Sequence, residues 1–439
     1  MTLFFGRVRL AGVAAVFVAL SGPALAAEEM DHSKMDHSNM THDATDEDAM
    51  PGMGMAMAGT LGPYGMTRDG TGTSWQPDSS VHQGLHVMDG DTMYMAHARF
   101  NLGYDWQQGP RGDDGALFSG MVMGSMRKAF DTGGALTLRA MVSPDPVMGP
   151  RGYPLLLAAG ESADGVHLLT DRQHPHDLFM ELSATYSHAL SDQDSVFLYA
   201  GWPGEPAFGP PAFMHRLSIM DSPEAPITHH WLDSTHITFG VVTGGVVHGN
   251  WKIEASGFKG REPDESRWDI EPAKFDSAAV RVSWNPTDEL ALQVSWANLI
   301  SPEQLEPGHD QKRWSASAIY TRPLANGWWS TTVAWGRKQI VGDEALNAWT
   351  LESAVKFAEP WTVFLRGEVA QNDELNGHGG GTARVAKASI GAVHDWRIGP
   401  HALFGLGALY ARNWVPQFMK ASYGGNPGGA MVFARLVIQ

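Results

Sequence analysis

The chain has 439 residues, a formal net charge of −17 and no cysteine. The acidic balance argues against nucleic acid as a partner, and the lack of thiols excludes disulfides and thiolate metal sites. The 50 glycines and 16 tryptophans are more than an ordinary soluble domain carries and are typical of outer-membrane barrels. We expect no organic cofactor.

Residues 1–26 are predicted to be a secretory signal peptide. Arg7 and Arg9 form the positive start, an apolar stretch follows, and Ala24-Leu25-Ala26 has the small-residue pattern of a cleavage site. An anchoring helix needs roughly 20 apolar residues, which this segment does not supply. The signal implies export from the cytoplasm, and the segment takes no part in the fold.

Residues 27–91 are predicted to form a disordered tail. The segment is rich in Met, Asp, His, Gly and Ser and poor in β-branched residues. Such a composition buries too little apolar area to offset the entropy lost on ordering. We therefore place the start of the folded domain near residue 92.

The tail carries repeated metal-ligand residues. Met-Asp-His-Ser occurs at residues 30–33 and again at 35–38, and a degenerate third copy follows. Thioethers select Cu(I), whereas imidazoles bind Cu(II) as well. The repeats resemble the Met/His-rich segments of copper-resistance outer-membrane proteins, and this resemblance implies copper binding, metal resistance and a tail in the periplasm. The predicted ligands are Met30, His32, Met35, His37, Met40, His42, Met53, Met55 and Met57.

Residues 92–439 are predicted to form an all-β domain, an antiparallel up-and-down transmembrane β-barrel of about 16 strands, with 14 to 18 possible. Trp361 to Val369 shows the alternation on which this rests: Thr362, Arg366 and Glu368 lie on the face opposite the apolar residues. The predicted strands are 92–106, 116–129, 134–142, 176–189, 194–201, 236–247, 250–258, 275–284, 289–299, 312–322, 327–336, 346–357, 361–371, 384–396, 401–411 and 429–438.

The connections between these strands alternate between short turns and long loops. Short periplasmic turns and long outer loops are the pattern of an outer-membrane barrel. Aromatic residues also recur at strand ends, such as Trp284 and Trp361 beside short turns and Trp106 and Trp414 beside long loops. They predict two interfacial girdles in contact with outer-membrane lipid.

Two long loops contain a second group of candidate metal ligands. Imidazoles and carboxylates from neighbouring loops can converge on one ion. They can equally form a hydrogen-bonded constriction in the lumen, and the sequence does not decide between these arrangements. The candidates are His167, His174, His176 and Asp177 in the first loop and His215, His229, His230 and His236 in the second.

The sequence thus predicts an outer-membrane barrel for copper binding, sequestration or efflux, with metal ions and periplasmic copper-handling proteins as partners. The alternative is a general or solute-specific porin without a metal role. A third possibility is a structural or adhesive barrel with a plugged lumen and no conductance. Catalysis is not expected, because Ser187 and His188 point to opposite faces of a strand and no nucleophile elbow is present.

Overall fold

The computed structural model describes residues 58–439 except 82, 343, 359 and 378–380. Sixteen strands of this part of the chain form one closed antiparallel ring, because the last strand pairs with the first strand of the ring. Val437 lies opposite Arg99 at this closure. The predicted barrel of about 16 strands is confirmed.

The described residues contain nineteen strands, of which β2–β4 and β7–β19 form the ring, β1 extends the edge of β2 beyond the end of β19, and β5 and β6 form a hairpin within a loop. Their bounds are β1 Leu85–Asp89, β2 Thr92–Gln107, β3 Asp114–Ala129, β4 Gly134–Val142, β5 Tyr153–Ser162, β6 Leu168–Gln173, β7 Phe179–Ala189, β8 Asp194–Gly201, β9 Val241–His248, β10 Trp251–Phe258, β11 Ser277–Thr287, β12 Leu290–Leu299, β13 Gln311–Leu324, β14 Gly327–Ile340, β15 Ala345–Phe357, β16 Trp361–Asn372, β17 Ala383–Gly399, β18 Ala402–Trp414 and β19 Gly428–Ile438.

Helical structure in the described residues is confined to short pieces in the N-terminal segment and the loops. None of these helices is long and apolar enough to cross a membrane. The α-helices are α1 His229–Leu232 and α2 Lys420–Tyr423, and the 3-10 turns are Met66–Arg68, Asp145–Met148, Phe213–His215, Ser234–His236 and Gln417–Met419.

The two faces of the barrel strands differ as predicted. On β16 the Leu365 side chain points outward and is 40 % exposed, while its neighbour Arg366 points inward and is 1 % exposed. Thr362 and Glu368 are buried on the same inner face. An apolar outer face and a polar inner face are the arrangement of a barrel in lipid.

Aromatic pairs occur at both ends of the barrel wall. Trp251 and Trp284 stack beside a short turn, with ring centroids 4.7 Å apart and planes 8° apart. At the long-loop end, the rings of Trp335 and Trp349 lie 6.1 Å apart. Trp328 also follows a short turn, where the sequence predicts a girdle residue, but it is buried in a core cluster. Apart from Trp328, these positions fit the predicted girdles.

The predicted tail boundary at residue 91 differs from the structure. Residues 58–81 are folded, and Leu61, Tyr64 and Trp75 pack against Phe197 and Val247 of the barrel. The prediction was based on the average composition of the tail, in which these three large apolar side chains carry little weight. Their burial offsets the entropy lost when the segment is ordered. The signal peptide and the tail up to residue 57 lie outside the described residues.

Candidate functional site

The loop between β8 and β9, residues 202–240, lies inside the barrel. Nearly all of its residues are buried. Its main-chain amides at Ala207 and Gly209 donate to Ser256 on β10 and Ser295 on β12. On the other side of the ring, Asp221 accepts hydrogen bonds from arginines on β2 and β19. The loop therefore crosses the lumen and is bonded to walls on both sides.

Buried ion pairs fasten this loop to the wall. The Arg216 guanidinium donates two hydrogen bonds to Glu352 on β15, at 2.8 and 2.7 Å. Glu368 on β16 accepts hydrogen bonds from the Thr228 amide at 3.1 Å and its hydroxyl at 2.9 Å. Buried charges are tolerated when paired in this way, and removing one partner typically costs about 3–5 kcal/mol.

Three histidines of the two long loops have their Nδ1 atoms fixed by hydrogen bonds. His229 Nδ1 lies 2.7 Å from the Asp233 carboxylate, and His176 Nδ1 lies 2.7 Å from the Asp145 carboxylate. His236 Nδ1 lies 2.6 Å from the main-chain carbonyl of Asp233. Since carboxylate and carbonyl oxygens only accept, each Nδ1 carries the proton and each Nε2 keeps its lone pair.

These three rings, which we call the lumenal triad (His176, His229 and His236), lie next to one another. The centroid of His236 is 5.2 Å from that of His176 and 5.1 Å from that of His229. A tetrahedral ion with metal–nitrogen bonds of about 2.0–2.1 Å would place imidazole centroids roughly 5 Å apart. Nε2 of His176 and of His236 is buried without a hydrogen-bond partner. The spacing and the two unpartnered atoms suit a metal ion.

The donor atoms of the triad are not yet gathered around one point. Within the described residues, no group of three or more His, Asp or Glu side chains already has metal-binding geometry. The rings would have to turn about their Nδ1 hydrogen bonds to bring the Nε2 atoms onto one ion. The triad is therefore a candidate site by ring spacing and not by donor geometry.

The surroundings of His236 and His229 favour the uncharged form of these two imidazoles. Burial, reinforced by the neighbouring His229 and His176, lowers the pKa of His236 to about 3. Burial also lowers the pKa of His229, although Asp233 opposes this shift. Metals bind the neutral form of imidazole, so protons compete weakly at these two rings.

His174 and His230 extend the cluster toward buried glutamates. The His230 ring lies 5.3 Å from that of His229 and 5.9 Å from that of His174. Burial opposes protonation of His230, but the carboxylate of Glu262, 3.8 Å away, helps to raise its pKa to about 9. An imidazolium has no free lone pair, so His230 is less suited to ligation than the triad.

The other predicted loop ligands lie apart from the triad. His167 is exposed and pairs with Asp164 at 2.7 Å, and Asp177 pairs with Arg267 at 3.3 Å. His215 lies beside His97, with centroids 6.1 Å apart. The predicted ligands Met30 to Met57 fall outside the described residues. Sequence reasoning missed Asp145, because a hydrogen bond across 31 positions leaves no local pattern.

No family model matches the chain, and no curated protein matches it either. Among solved structures, it is similar to OmpF of Salmonella typhi, determined in complex with daunomycin, at 12 % identity and a TM-score of 0.50. That match covers 81 % of this chain and all of OmpF. An anion-selective porin from Comamonas acidovorans matches at 10 % identity and a TM-score of 0.46, covering 79 % of this chain and all of the porin. The likeness to OmpF shows a porin-like outer-membrane barrel fold.

Proposed function

We propose that this protein is an outer-membrane barrel that binds copper in its lumen and serves in sequestration or efflux of the metal. The observation that carries the proposal is the lumenal triad, in which His236 lies 5.1–5.2 Å from two rings that are each oriented by a carboxylate. A carboxylate on the far nitrogen is the usual support of a metal-binding histidine.

The choice of copper comes from combining the triad with the tail. Imidazole alone suits zinc, copper, iron and nickel. The tail adds Met30, Met35 and Met40 between its histidines, and thioethers favour Cu(I) over divalent ions. In this proposal the tail lies in the periplasm and captures copper, and the barrel receives it. Periplasmic copper-handling proteins are the proposed donors.

A solute-specific porin is the second candidate, and the shared porin-like fold favours it. The loop that crosses the lumen weighs against a wide general pore, because its contacts with β2, β10, β12 and β19 span the ring. A porin of this kind would conduct ions or a small solute past the loop with no dependence on the histidines. A structural barrel would not conduct at all.

The test is a titration of refolded full-length protein with Cu(II), Cu(I) and Zn(II). One variant removes the triad (H176A/H229A/H236A) and a matched control removes two exposed histidines that also pair with carboxylates (H167A/H248A). Each is made with the native tail and with the tail Met and His residues replaced. We expect the tail-replaced protein to bind one Cu(II), which the triad variant loses and the control keeps. Absence of copper binding in every form would overturn the proposal.

A further inference from the structure

Methionines line the inner face of three consecutive barrel strands. Met93 and Met95 of β2, Met121 and Met123 of β3 and Met141 of β4 all border one cavity of about 120 Å³. The lumen face of an outer-membrane barrel is ordinarily polar, because it meets water. The barrel architecture alone therefore does not explain why so many methionines lie on this face.

The strand register places the potential ligands in one row. His97 on β2 lies opposite Met123 on β3, Met123 lies opposite Met141 on β4, and Met141 lies opposite Glu181 on β7. Directly opposite residues on neighbouring strands have Cβ atoms about 4.5–5.5 Å apart. An imidazole, two thioethers and a carboxylate thus follow one another across four strands, and at this spacing neighbouring members of the row, such as His97, Met123 and Met141, can share one ion.

Side chains from outside the wall complete the cavity. Met66 of the N-terminal segment and Met220 of the lumenal loop also border it. The His215 ring lies 6.1 Å from His97, and its Nε2 atom is buried without a hydrogen-bond partner. A buried polar nitrogen without a partner is costly unless something binds it. Because His215 lies beside the thioethers, the cavity suits a metal ion that binds both nitrogen and sulfur donors.

Positive charges at the cavity are matched by acids. Arg139 lies 3.5 Å from Glu181, and Arg99 lies 2.9 Å from Asp221. A third buried arginine, Arg127, also borders the cavity, and Asp69 of the N-terminal segment adds a further carboxylate to the lining. These carboxylates reduce the repulsion that the arginines would exert on a cation in the cavity.

We propose that this thioether cavity is a Cu(I) site, chemically distinct from the lumenal triad. The inference rests on the proposed function only in naming copper as the cargo. Thioether sulfur is a soft ligand that selects Cu(I), whereas Zn(II) and Cu(II) prefer imidazole and oxygen. The barrel then holds two sites of different preference, one for reduced copper and one for imidazole-bound metal.

The cavity borders both the start of the described chain at Ala58 and a second cavity that is lined by His176 of the triad. Ala58, which borders the cavity, directly follows the Met53, Met55 and Met57 series in the chain. On its other side, a cavity of about 60 Å³ shares Met121 and Met220 with the first and is bordered by His174 and His176. In this proposal, a Cu(I) ion that enters near Ala58 meets the thioethers before it meets the imidazole of His176.

The experiment uses full-length protein whose tail Met and His residues at positions 30–57 are replaced, so that only the barrel contributes. Cu(I) is titrated against a chromophoric chelator, with Ag(I) as a redox-inert second probe. The test variant is M123L/M141L, since Met-to-Leu changes keep volume and remove sulfur. The matched control is M419L/M431L, which alters two buried methionines in other core clusters.

We expect one Cu(I) equivalent in the tail-replaced protein, bound through sulfur in X-ray absorption spectra. M123L/M141L should weaken Cu(I) binding at least about a hundredfold, because loss of a residue that only supports a ligand typically costs about 10–100-fold. M419L/M431L should leave Cu(I) binding unchanged. Cu(I) binding that is absent, or indifferent to M123L/M141L, would overturn the proposal. If this proposal fails but the triad variant still abolishes Cu(II) binding, the proposed function is unaffected.

Discussion

Asp233 orients His229 and at the same time ties it to the barrel wall. Its Oδ1 atom lies 2.7 Å from His229 Nδ1, and its Oδ2 atom accepts a hydrogen bond from Arg216 at 2.8 Å. Arg216 in turn donates to Glu352 on β15. The direction of the His229 lone pair is therefore set by a chain of bonds that reaches the wall.

Replacing Asp233 with asparagine should weaken metal binding at the triad. The D233N side chain keeps the shape but loses the charge that holds His229 Nδ1–H. Loss of such a supporting carboxylate typically lowers metal affinity about 10–100-fold. The measurement is Cu(II) affinity in the tail-replaced protein. D164N is the control, because Asp164 holds the exposed His167 at the same 2.7 Å distance. Equal affinities for D233N and the parent protein would contradict the assignment.

Metal binding at the triad should resist acid. Burial lowers the pKa of His236 to about 3 and also lowers that of His229, so protons compete less at these two rings than at an ordinary imidazole. A site of ordinary imidazoles loses affinity as the pH falls below about 6.5. We expect the Cu(II) affinity of the tail-replaced protein to stay within a fewfold between pH 7 and pH 5. A steep decline over this range would indicate exposed ligands instead.

The loop across the lumen should limit conductance until its wall contacts are removed. The E352Q/E368Q variant removes the Glu352 charge that pairs with Arg216, which typically costs about 3–5 kcal/mol, and weakens the acceptor of the two Thr228 hydrogen bonds. Single-channel recordings in planar bilayers should show larger conductance for this variant than for the parent. D131N/D192N makes the same charge change on exposed short turns and should not alter conductance. A parent protein that already conducts as widely as its variant would argue for an open porin.

Arg68 should hold the N-terminal segment in the barrel. Its guanidinium pairs with Asp78 at 2.7 Å and donates to the Gly249 carbonyl at 3.0 Å, in the short turn between β9 and β10. It also lies over the Tyr64 and Trp75 rings, 5.0 and 4.8 Å from their centroids. We expect R68A to speed chymotrypsin cleavage at these two aromatics at least about tenfold, since an opening free energy lower by 1.4 kcal/mol has this effect. R397A, at the exposed end of β17, is the control, and unchanged cleavage in R68A would contradict this role.

The barrel could be predicted because its determinants are local. Alternation along β16 separates Leu365 from Arg366, and turns such as Asp131-Thr132-Gly133 mark strand ends without any long-range information. The observed strand ends differ from the predicted ones by a few residues. For example, β17 ends at Gly399 and not at residue 396. The folded N-terminal segment was missed because its anchors, such as Tyr64 and Trp75, are sparse in a polar stretch.

The candidate site could be predicted only in part. The histidines of the two loops stood out by residue type, and three of them do meet in the lumen. Their partners did not stand out, because Asp145 reaches His176 across the fold and the row from His97 to Met141 depends on strand register. Hydrogen bonds and registers of this kind join distant parts of the chain and leave no periodic signal in it.

The most direct test of the lumenal site is an anomalous difference map at the copper absorption edge from crystals of the full chain grown with Cu(II). The account predicts a peak between the imidazoles of His176, His229 and His236, within bonding distance of their Nε2 atoms. Copper found only on exposed histidines such as His167 or His248, with no density between these three rings, would contradict it.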